Sequence, residues 1–349
     1  RPSFPGTVRA RFPGSLPYNN LPYIKNPYFT GRDQILGEIC SEFKSGHTIS
    51  LTQVISGLGG LGKTQTALEY AYRYADQYDW IWWIPAETES TVFVEYKNFA
   101  VRMKLLSKDE TDRKMISETV LNWMDTHEKW LFIYDNVDQI STNTEWWPRA
   151  NKGNILITTR NKRNPVGRRV DISVFSEEEA VLFLEKRTGL EHDRETGLEL
   201  ARRLGCLPLA LEQAAAYIAN NEISYQEYSD LLKEYGLEVL DEMEGVLDYK
   251  QSITATWEIS MNKIQKESAK QLLYLCAYLG SEEIDPKWFG GQAELFPQPL
   301  KEEIGGALKS NKLWSELTGY SLLEKSSDRK YYSMHRLLQE VVRHELHGE

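Results

Sequence analysis

The run from Gly57 to Thr64, GLGGLGKT, has the spacing G-x-x-x-x-G-K-[ST] of a phosphate-binding loop. Its glycines let successive backbone N–H groups turn towards an anion, and the N-terminus of a following helix adds partial positive charge. Lys63 would then reach the β- and γ-phosphates of a nucleotide, and the Thr64 hydroxyl would ligate Mg²⁺. The run therefore predicts a site for a nucleoside diphosphate or triphosphate.

A carboxylate that could share this metal ion follows a second apolar run, Trp130 to Tyr134. Asp135 ends the run, and an acid at a strand end beside the loop can hold Mg²⁺ through water. The next residue is Asn136, whose neutral amide cannot accept a proton from an attacking water molecule. Asp138 is acidic but lies two residues further on. We therefore assign Asp135 and Lys63 to catalysis and expect hydrolysis to be slow.

A third candidate is the arginine that ends the run Asn154 to Arg160, NILITTR. The guanidinium of Arg160 could contact a γ-phosphate when one is present and lose that contact when it is gone. Arg163, Arg168 and Arg169 lie close by in sequence and could take its place. The run therefore predicts a side chain that distinguishes a triphosphate from a diphosphate.

The elements that must position these residues alternate in type along the first half of the chain. A β-branched run leads into the phosphate loop, and a helix-favouring run, Gln65 to Tyr74, leads out of it, which is the context such a loop requires. Strands that alternate with helices predict a parallel α/β sheet. The strand candidates are Ile49–Ser56, Trp80–Ile84, Trp130–Tyr134, Ile155–Thr159 and Val170–Val174.

The second half of the chain is predicted to be helical. Ser176 followed by acidic residues that include Glu179 is typical of a capping box at a helix start. Gly205 and Pro208 have the order expected for the end of one helix and the start of the next. The charged stretch Leu237 to Lys250 is interpreted as a linker.

The last hundred residues combine helices with a short hairpin. Tyr320–Glu324 and Lys330–Met334 are predicted to pair around Ser327–Asp328, and His335–Leu346 is predicted to be a closing helix. Helices with a terminal hairpin suggest a winged-helix unit. The predicted division is an irregular lead-in (1–25), a phosphate-loop nucleotide-binding domain (26–174), a small helical subdomain (175–250) and a winged-helix subdomain (251–349).

Composition limits the kinds of partner. The chain has 349 residues and a net charge of −10, which argues against a nucleic-acid-binding surface because such surfaces usually carry a basic excess. No apolar run reaches 18 residues, so no membrane span is expected. Cys40, Cys206 and Cys276 are scattered, as expected in a reducing compartment such as the cytoplasm. The first residue is not methionine, so we interpret the chain as a piece of a longer protein.

Several further motifs follow in a fixed order from about residue 28 to residue 347. Together with the phosphate loop and NILITTR, they resemble the NB-ARC family of STAND signal-transduction ATPases, the nucleotide-binding region of NOD-like receptors, in its fungal type. The strand with Trp82, Trp83 and Pro85-Ala86 is similar to the family's second strand. The other matching segments are Phe29-Thr30-Gly31-Arg32, Gly205-Cys206-Leu207-Pro208-Leu209-Ala210 and Met334-His335-Arg336.

The resemblance implies a role for each motif. The first would cradle adenine, Pro208 would pack against the nucleotide, and His335 would approach the β-phosphate of ADP. Two departures from the family pattern are Asn136, which replaces a second acid, and Arg336, which replaces an aspartate. Asp33 stands where glutamate is common. The predicted nucleotide-binding residues are Phe29, Arg32, Gly57, Gly59, Gly60, Leu61, Gly62, Lys63, Thr64, Gln65, Arg160, Pro208, Leu209 and His335, with Thr64 and Asp135 as the Mg²⁺ ligands.

The same resemblance implies a molecular switch rather than a fast enzyme. ADP would hold the subdomains closed, and exchange for ATP would let the chain self-associate within a larger protein whose effector and sensor regions lie outside these residues. Two alternatives remain: a continuously cycling ATPase, and a transcription regulator whose winged helix reads DNA. The segment from Met334 to His347 offers Arg336, Arg343 and three histidines to DNA, yet also carries Glu340 and Glu345.

Overall fold

A six-stranded parallel sheet organises the first half of the chain in a computed structural model. The structure describes residues 17–46, 48–53, 60–137, 147, 152–160, 167–190, 193–234, 249–326 and 328–347. The chain divides into two compact units. The first consists of Arg1–Asn26, Arg32–Gly57 and Lys63–Ile172, and the second of Pro27–Gly31, Leu58–Gly62 and Ser173–Glu349.

The first unit is the predicted parallel α/β sheet. Its strands follow the spatial order β1-β3-β4-β5-β2-β6, and every neighbouring pair is parallel. The strands are β1 (Tyr18–Asn19), β2 (Ile49–Gln53), β3 (Trp80–Pro85), β4 (Trp130–Asp135), β5 (Asn154–Thr158) and β6 (Arg168–Ile172). The helices are α1 (Asp33–Lys44), α2 (Lys63–Arg73), α3 (Glu89–Arg102) and α4 (Arg113–Thr126).

Strand β4 is buried along its whole length, which explains why it reads as a continuous apolar run rather than an alternating one. Its Phe132 ring meets Phe99 of α3 at 5.2 Å between centroids, in the edge-to-face arrangement that aromatic pairs prefer. Trp130 leaves so little room that a Cβ on Gly153 would come within 2.1 Å of its ring. Gly153 is therefore required where the chain enters β5.

The residues before α1 are more ordered than the predicted lead-in. Tyr18 and Asn19 form β1, which pairs in parallel with Trp80 and Ile81 at the edge of the sheet. Asn20 then accepts a hydrogen bond from the backbone N–H of Trp83 at 2.6 Å. The prediction of an irregular segment is therefore wrong for these residues. Two residues give no periodicity from which a strand could be recognised.

Where the structure describes it, the second unit consists of helices and one antiparallel hairpin. The helices are α5 (Glu177–Thr188), α6 (Arg194–Arg203), α7 (Pro208–Asn221), α8 (Tyr225–Glu234), α9 (Tyr249–Lys263), α10 (Glu267–Cys276), α11 (Pro286–Gly291), α12 (Leu300–Ile304), α13 (Ala307–Gly319) and α14 (Arg336–His347). The hairpin strands are β7 (Glu324–Lys325) and β8 (Tyr332–Ser333). The hairpin is thus shorter than predicted, and Ser327 of the predicted turn lies outside the described residues.

Local signals in the sequence explain where two of these helices begin. Ser176 and Glu179 form the capping box: the Ser176 hydroxyl accepts from the Glu179 backbone, and the Glu179 carboxylate accepts from the Ser176 backbone. Gly205 and Cys206 both have positive φ, 63° and 50°, so they turn the chain sharply after α6. Pro208 then occupies the first position of α7, where its missing N–H costs nothing.

Buried polar and aromatic contacts join the early and late helices of the second unit. The Thr256 hydroxyl on α9 donates to Gln213 of α7 at 2.6 Å, with both residues fully buried. Trp314 of α13 stacks on Tyr332 of β8 with ring centroids 4.4 Å apart. The longest segment of the second unit runs from Ser173 to Glu349, and the predicted boundaries at residues 175 and 250 remain predictions. The predicted linker falls largely on residues 235–248, outside those described.

No helix in the described part of the chain is both long enough and apolar enough to cross a membrane.

Candidate nucleotide-binding site

The phosphate loop lies between β2 and α2, in the strand, loop and helix order that its spacing requires. Gly60 and Gly62 have φ values of +77° and +84°, a left-handed conformation that favours glycine. Lys63 begins α2 and is 9% exposed. Gly57 and Gly59 lie outside the described residues, and Leu61 is buried between the two glycines that are described. Gln65 lies in the first turn of α2 and accepts a hydrogen bond from Asn26 at 3.4 Å.

Asp135, at the carboxyl end of β4, is fully buried and surrounded by hydroxyl donors. The Thr64 hydroxyl donates to its Oδ1 atom at 3.0 Å, and the Thr158 hydroxyl donates to the same atom. Strand β5 pairs with β4, so its last residue, Thr158, lies beside Asp135. The structure therefore brings together Thr64 and Asp135, the two residues predicted to ligate Mg²⁺.

This set of atoms suits a hard cation. Mg²⁺ prefers oxygen ligands and commonly uses one or two protein oxygens together with water and phosphate. The Thr64 hydroxyl and the Asp135 carboxylate supply such oxygens, and their hydrogen bond already holds both side chains in one place. Thr158 restrains the carboxylate further. The chemistry of these residues therefore fits Mg²⁺.

Asn136 adopts a left-handed conformation with φ of 65°, which asparagine tolerates better than most residues. Its side-chain amide donates to Asp135 at 3.3 Å, and its backbone N–H donates to the Thr158 hydroxyl at 2.9 Å. Asn136 thus lies beside the buried carboxylate but brings no second acid to it. Asp138, the nearest acid in sequence, lies outside the described residues.

Arg160 lies two residues after β5 ends and is half-buried. The preceding residue, Thr159, donates through its hydroxyl to the Val137 carbonyl at 2.7 Å, which ties this segment to the one that follows β4. Arg168 and Arg169 instead begin β6, at the amino ends of the parallel strands.

The structure corrects the suggestion that these neighbouring arginines could replace Arg160. Arg168 pairs with Glu42 at 2.9 Å, and Arg169 pairs with Asp171 at 2.7 Å. The carboxyl ends of the strands, where Asp135 and the loop lie, form the opposite edge of the sheet. Arg163 lies outside the described residues. Among these described arginines, Arg160 is therefore the one that lies at the carboxyl ends of the strands.

The segment predicted to cradle adenine is held by helix α5. The Lys186 ammonium donates to the Phe29 carbonyl at 2.9 Å, and a Cβ on Gly31 would come within 2.1 Å of the Glu179 carboxylate. Arg32 is the N-cap residue of α1, and its carbonyl accepts a hydrogen bond from the Leu36 N–H at 2.9 Å. It is 6% exposed. The φ of +65° favours glycine at position 31, and a Cβ there would also displace the Glu179 carboxylate.

The start of α7 contacts the phosphate loop directly. The Leu209 N–H donates to the Gly60 carbonyl at 3.2 Å, and a Cβ on Gly60 would lie 2.9 Å from the Leu209 Cβ. Pro208 adjoins this contact at the first position of α7 and is half-buried. The structure therefore brings Leu209 of the Gly-Cys-Leu-Pro-Leu-Ala motif against the glycine-rich loop.

His335 lies immediately before α14 and is exposed. Its Nδ1 atom accepts a hydrogen bond from the Leu337 N–H at 3.2 Å, so the imidazole caps the helix. Arg336, the residue in place of the family's aspartate, is half-buried and donates to the Ser281 hydroxyl at 3.4 Å. The role of His335 at a diphosphate remains a prediction.

Sequence reasoning gave no role to three side chains that shape these sites. Thr158 restrains Asp135, and its signal was present in the Thr-Thr-Arg end of NILITTR. Lys186 donates to the Phe29 carbonyl, and Glu179 lies close to Gly31, although both are about 150 residues away in sequence. No local pattern in α5 indicates such a contact.

Comparison with protein families gives two matches. Residues 33–193 match the model described as "NB-ARC domain", and residues 259–349 match the model described as "Domain of unknown function (DUF7779)". The first match includes the loop, the Asp135 strand and Arg160. The second covers the last helices and the hairpin.

A "Nucleotide-binding leucine-rich repeat (NLR)-like protein" of Hyaloscypha variabilis is 26% identical over 373 residues, covering 95% of this chain and 36% of that protein. The chain thus spans about a third of this relative's length. Among solved structures, the Walker-type ATPase of Pyrococcus abyssi covers 92% of this chain and 98% of its own, with 10% identity and a TM-score of 0.45. The ORC2 protein of Aeropyrum pernix covers 93% and 97%, with 12% identity and a TM-score of 0.42. Residues 33–193 are therefore similar to the NB-ARC domain, and the chain resembles part of a nucleotide-binding NLR-like protein.

Proposed function

We propose that this chain is a nucleotide-dependent switch that holds ADP at rest and ATP when active, with slow or absent hydrolysis. The observation that carries the proposal is the buried Asp135, hydrogen-bonded to Thr64 of the phosphate loop and followed by an amide, Asn136. Such a site supplies ligands for a nucleotide and its metal. It lacks, at position 136, the acid that would accept a proton from water.

Mg²⁺ is part of the proposal. Thr64 and Asp135 would hold the ion, which would neutralise charge on the phosphate oxygens when bound. Lys63, nearly buried at the start of α2, would add its own charge to the phosphates. Backbone N–H groups of the glycine loop would cradle the anion at the helix N-terminus.

Switching requires that ADP and ATP bind two states of the chain unequally, because a ligand with equal affinity for both shifts nothing. The proposal assigns the γ-phosphate of ATP to Arg160 and the β-phosphate of ADP to His335. Loss of the γ-phosphate would release Arg160, and exchange for ATP would favour self-association of the larger protein in the cytoplasm. Effector and sensor regions would lie outside this chain.

The identity of the nucleotide that survives purification tests this function. The purified chain is denatured, and the released nucleotide is separated and quantified. We expect ADP at close to one molecule per chain, and none from a Lys63→Ala variant that remains folded. A preparation that carries guanine nucleotide, or that neither retains nor rebinds adenine nucleotide, would overturn the proposal.

A further inference from the structure

The second unit contains a chain of polar contacts that connects the segment near Phe29 to the turn before the terminal hairpin. It runs from Tyr28 through Arg187 of α5 and Glu212 of α7 to Ser321. We call these four residues the Tyr28–Ser321 relay. All of them belong to the second compact unit.

One carboxylate oxygen is the centre of the relay. Glu212 Oε1 accepts from Arg187 Nε at 3.2 Å and from the Ser321 hydroxyl at 2.8 Å. Both side chains are largely shielded from water, with 18% of Arg187 and 32% of Glu212 exposed. Ion pairs at such positions are screened less by salt than exposed pairs. The same Glu212 oxygen therefore contacts both the Arg187 guanidinium and the Ser321 hydroxyl.

Arg187 has a second contact on its other side. Its guanidinium lies over the Tyr28 ring, 4.7 Å from the centroid, within the range of a cation–π interaction. Tyr28 directly precedes Phe29, whose carbonyl accepts from Lys186, the residue before Arg187. Helix α5 thus holds this segment through two adjacent cationic side chains.

The other end of the relay is a strained turn seated against α7. Ser321 has φ of 53°, a left-handed conformation that costs energy in a residue with a Cβ. Tyr320 packs beside Tyr217 of α7, with ring centroids 5.8 Å apart. The turn is therefore placed by packing on α7, and the Ser321 hydroxyl adds one hydrogen bond to Glu212.

We propose that Arg187 is a positioning residue. It couples the packing of the Ser321 turn on α7 to the contacts by which α5 holds the Tyr28–Gly31 segment. When the turn leaves α7, Glu212 loses one of its two donors and attracts the Arg187 guanidinium more strongly. The guanidinium then moves off the Tyr28 ring, and the segment loosens. Because this role rests on the proposed function, its expected consequence is faster release of ADP.

Two substitutions test the relay without relying on a destabilised fold. Ser321→Gly removes the hydroxyl and also relieves the left-handed backbone, so stability should be maintained or raised. Arg187→Gln removes the charge but keeps a long polar side chain. Arg202→Gln is the matched control, because Arg202 pairs with Glu177 of the same helix α5 and does not contact Glu212 or Tyr28.

The measurement is the dissociation rate of a fluorescent ADP analogue from each variant, with thermal unfolding recorded alongside. We expect Ser321→Gly and Arg187→Gln each to release the analogue about threefold to tenfold faster, the range for loss of about one net hydrogen bond. The double variant should release it no faster than Arg187→Gln alone, since both changes act through Glu212. Arg202→Gln should match the wild-type rate.

Each contrary result has a distinct meaning. Wild-type release from Ser321→Gly, or factors that multiply in the double variant, would overturn the relay while leaving the proposed function intact. A wild-type chain that does not bind the analogue, and retains no adenine nucleotide, would overturn the proposed function and the relay with it.

Discussion

Asn136 is the residue that, in the proposed function, limits hydrolysis of a bound triphosphate. It follows the buried Asp135 and donates to that carboxylate through its amide. The proposed function takes position 136 as the place where an acid would act on water. Its left-handed backbone is one that aspartate also tolerates. The position can therefore be tested by an isosteric change.

We expect Asn136→Asp to raise the single-turnover rate of ATP hydrolysis by about tenfold or more, because a general base commonly contributes about 10²–10⁴-fold. Asn136→Ala is the control, since it loses the amide contact without gaining a carboxylate, and its rate should not rise. Phosphate release from preloaded protein measures both. Equal rates for the aspartate and alanine variants would show that a missing acid at this position does not limit hydrolysis.

His335 has two separable roles, one seen in the structure and one proposed. Its Nδ1 atom caps α14, and asparagine can also cap a helix, whereas alanine cannot. We expect His335→Asn and His335→Ala to release ADP faster by the same factor, because both lack the imidazole. Only His335→Ala should lose about 1 kcal/mol of unfolding free energy, the usual value of an N-cap. Wild-type retention of ADP by the asparagine variant would remove His335 from the nucleotide site.

At the scale of secondary-structure elements, the longer strands of the sheet could be predicted from the sequence, whereas the short edge strand β1 could not. The strand ends at Asp135 and Thr158 follow from apolar runs that stop at a polar residue, and the observed bounds differ from the predicted ones by one residue at either end of β5. Strand β1 is two residues long and exists through pairing with β3, a long-range contact that no local pattern encodes.

The attachment of the Tyr28–Gly31 segment was equally beyond sequence reasoning. The motif could be recognised from Phe29 to Arg32, but its support comes from Lys186, 157 residues away. Lysine and arginine on a helix usually indicate a solvated face, so α5 gives no signal of the contact. The pair Thr64 and Asp135 could be predicted because Thr64 lies in the first turn of α2 and Asp135 ends β4. Thr158, which ends the neighbouring strand β5, was missed.

The short hairpin brings a second carboxylate, Glu324 of β7, near Glu212 of α7. The pKa of Glu324 is raised from 4.5 to about 7, mainly by loss of hydration and secondarily by repulsion from Glu212. The residue as a whole still keeps an exposed surface. Between these values the folded chain retains a proton that the unfolded chain has released. The contribution of Glu324 to the free energy of unfolding therefore falls as the pH rises from about 4.5 to about 7.

Glu324→Gln should remove this penalty. We expect the variant to melt at a higher temperature than the wild type at pH 8, where Glu324 is ionised, and at the same temperature at pH 5. Glu302→Gln on α12 changes the net charge equally at an exposed position, and its effect should be small and similar at both pH values. A stabilisation by Glu324→Gln that is equal at pH 5 and pH 8 would contradict the raised pKa.

At the scale of the whole molecule, the central claim is that ADP and ATP favour different states of one chain. The net charge of −10 opposes self-association, and this repulsion is reduced at physiological ionic strength, where the screening length is about 8 Å. The sedimentation of the ADP-loaded chain should therefore be compared with that of the ATP-loaded chain near physiological ionic strength. Lys63→Ala provides the control, since its sedimentation should not depend on the nucleotide.

Sedimentation velocity is the direct test of whether the two nucleotides favour different states. The chain is loaded in turn with Mg²⁺–ADP and with a non-hydrolysable Mg²⁺–ATP analogue. We expect one slowly sedimenting species with ADP, and a faster-sedimenting, heavier species with the analogue that is absent from Lys63→Ala. Identical sedimentation coefficients with both nucleotides, at concentrations where binding is shown to be complete, would contradict a switch.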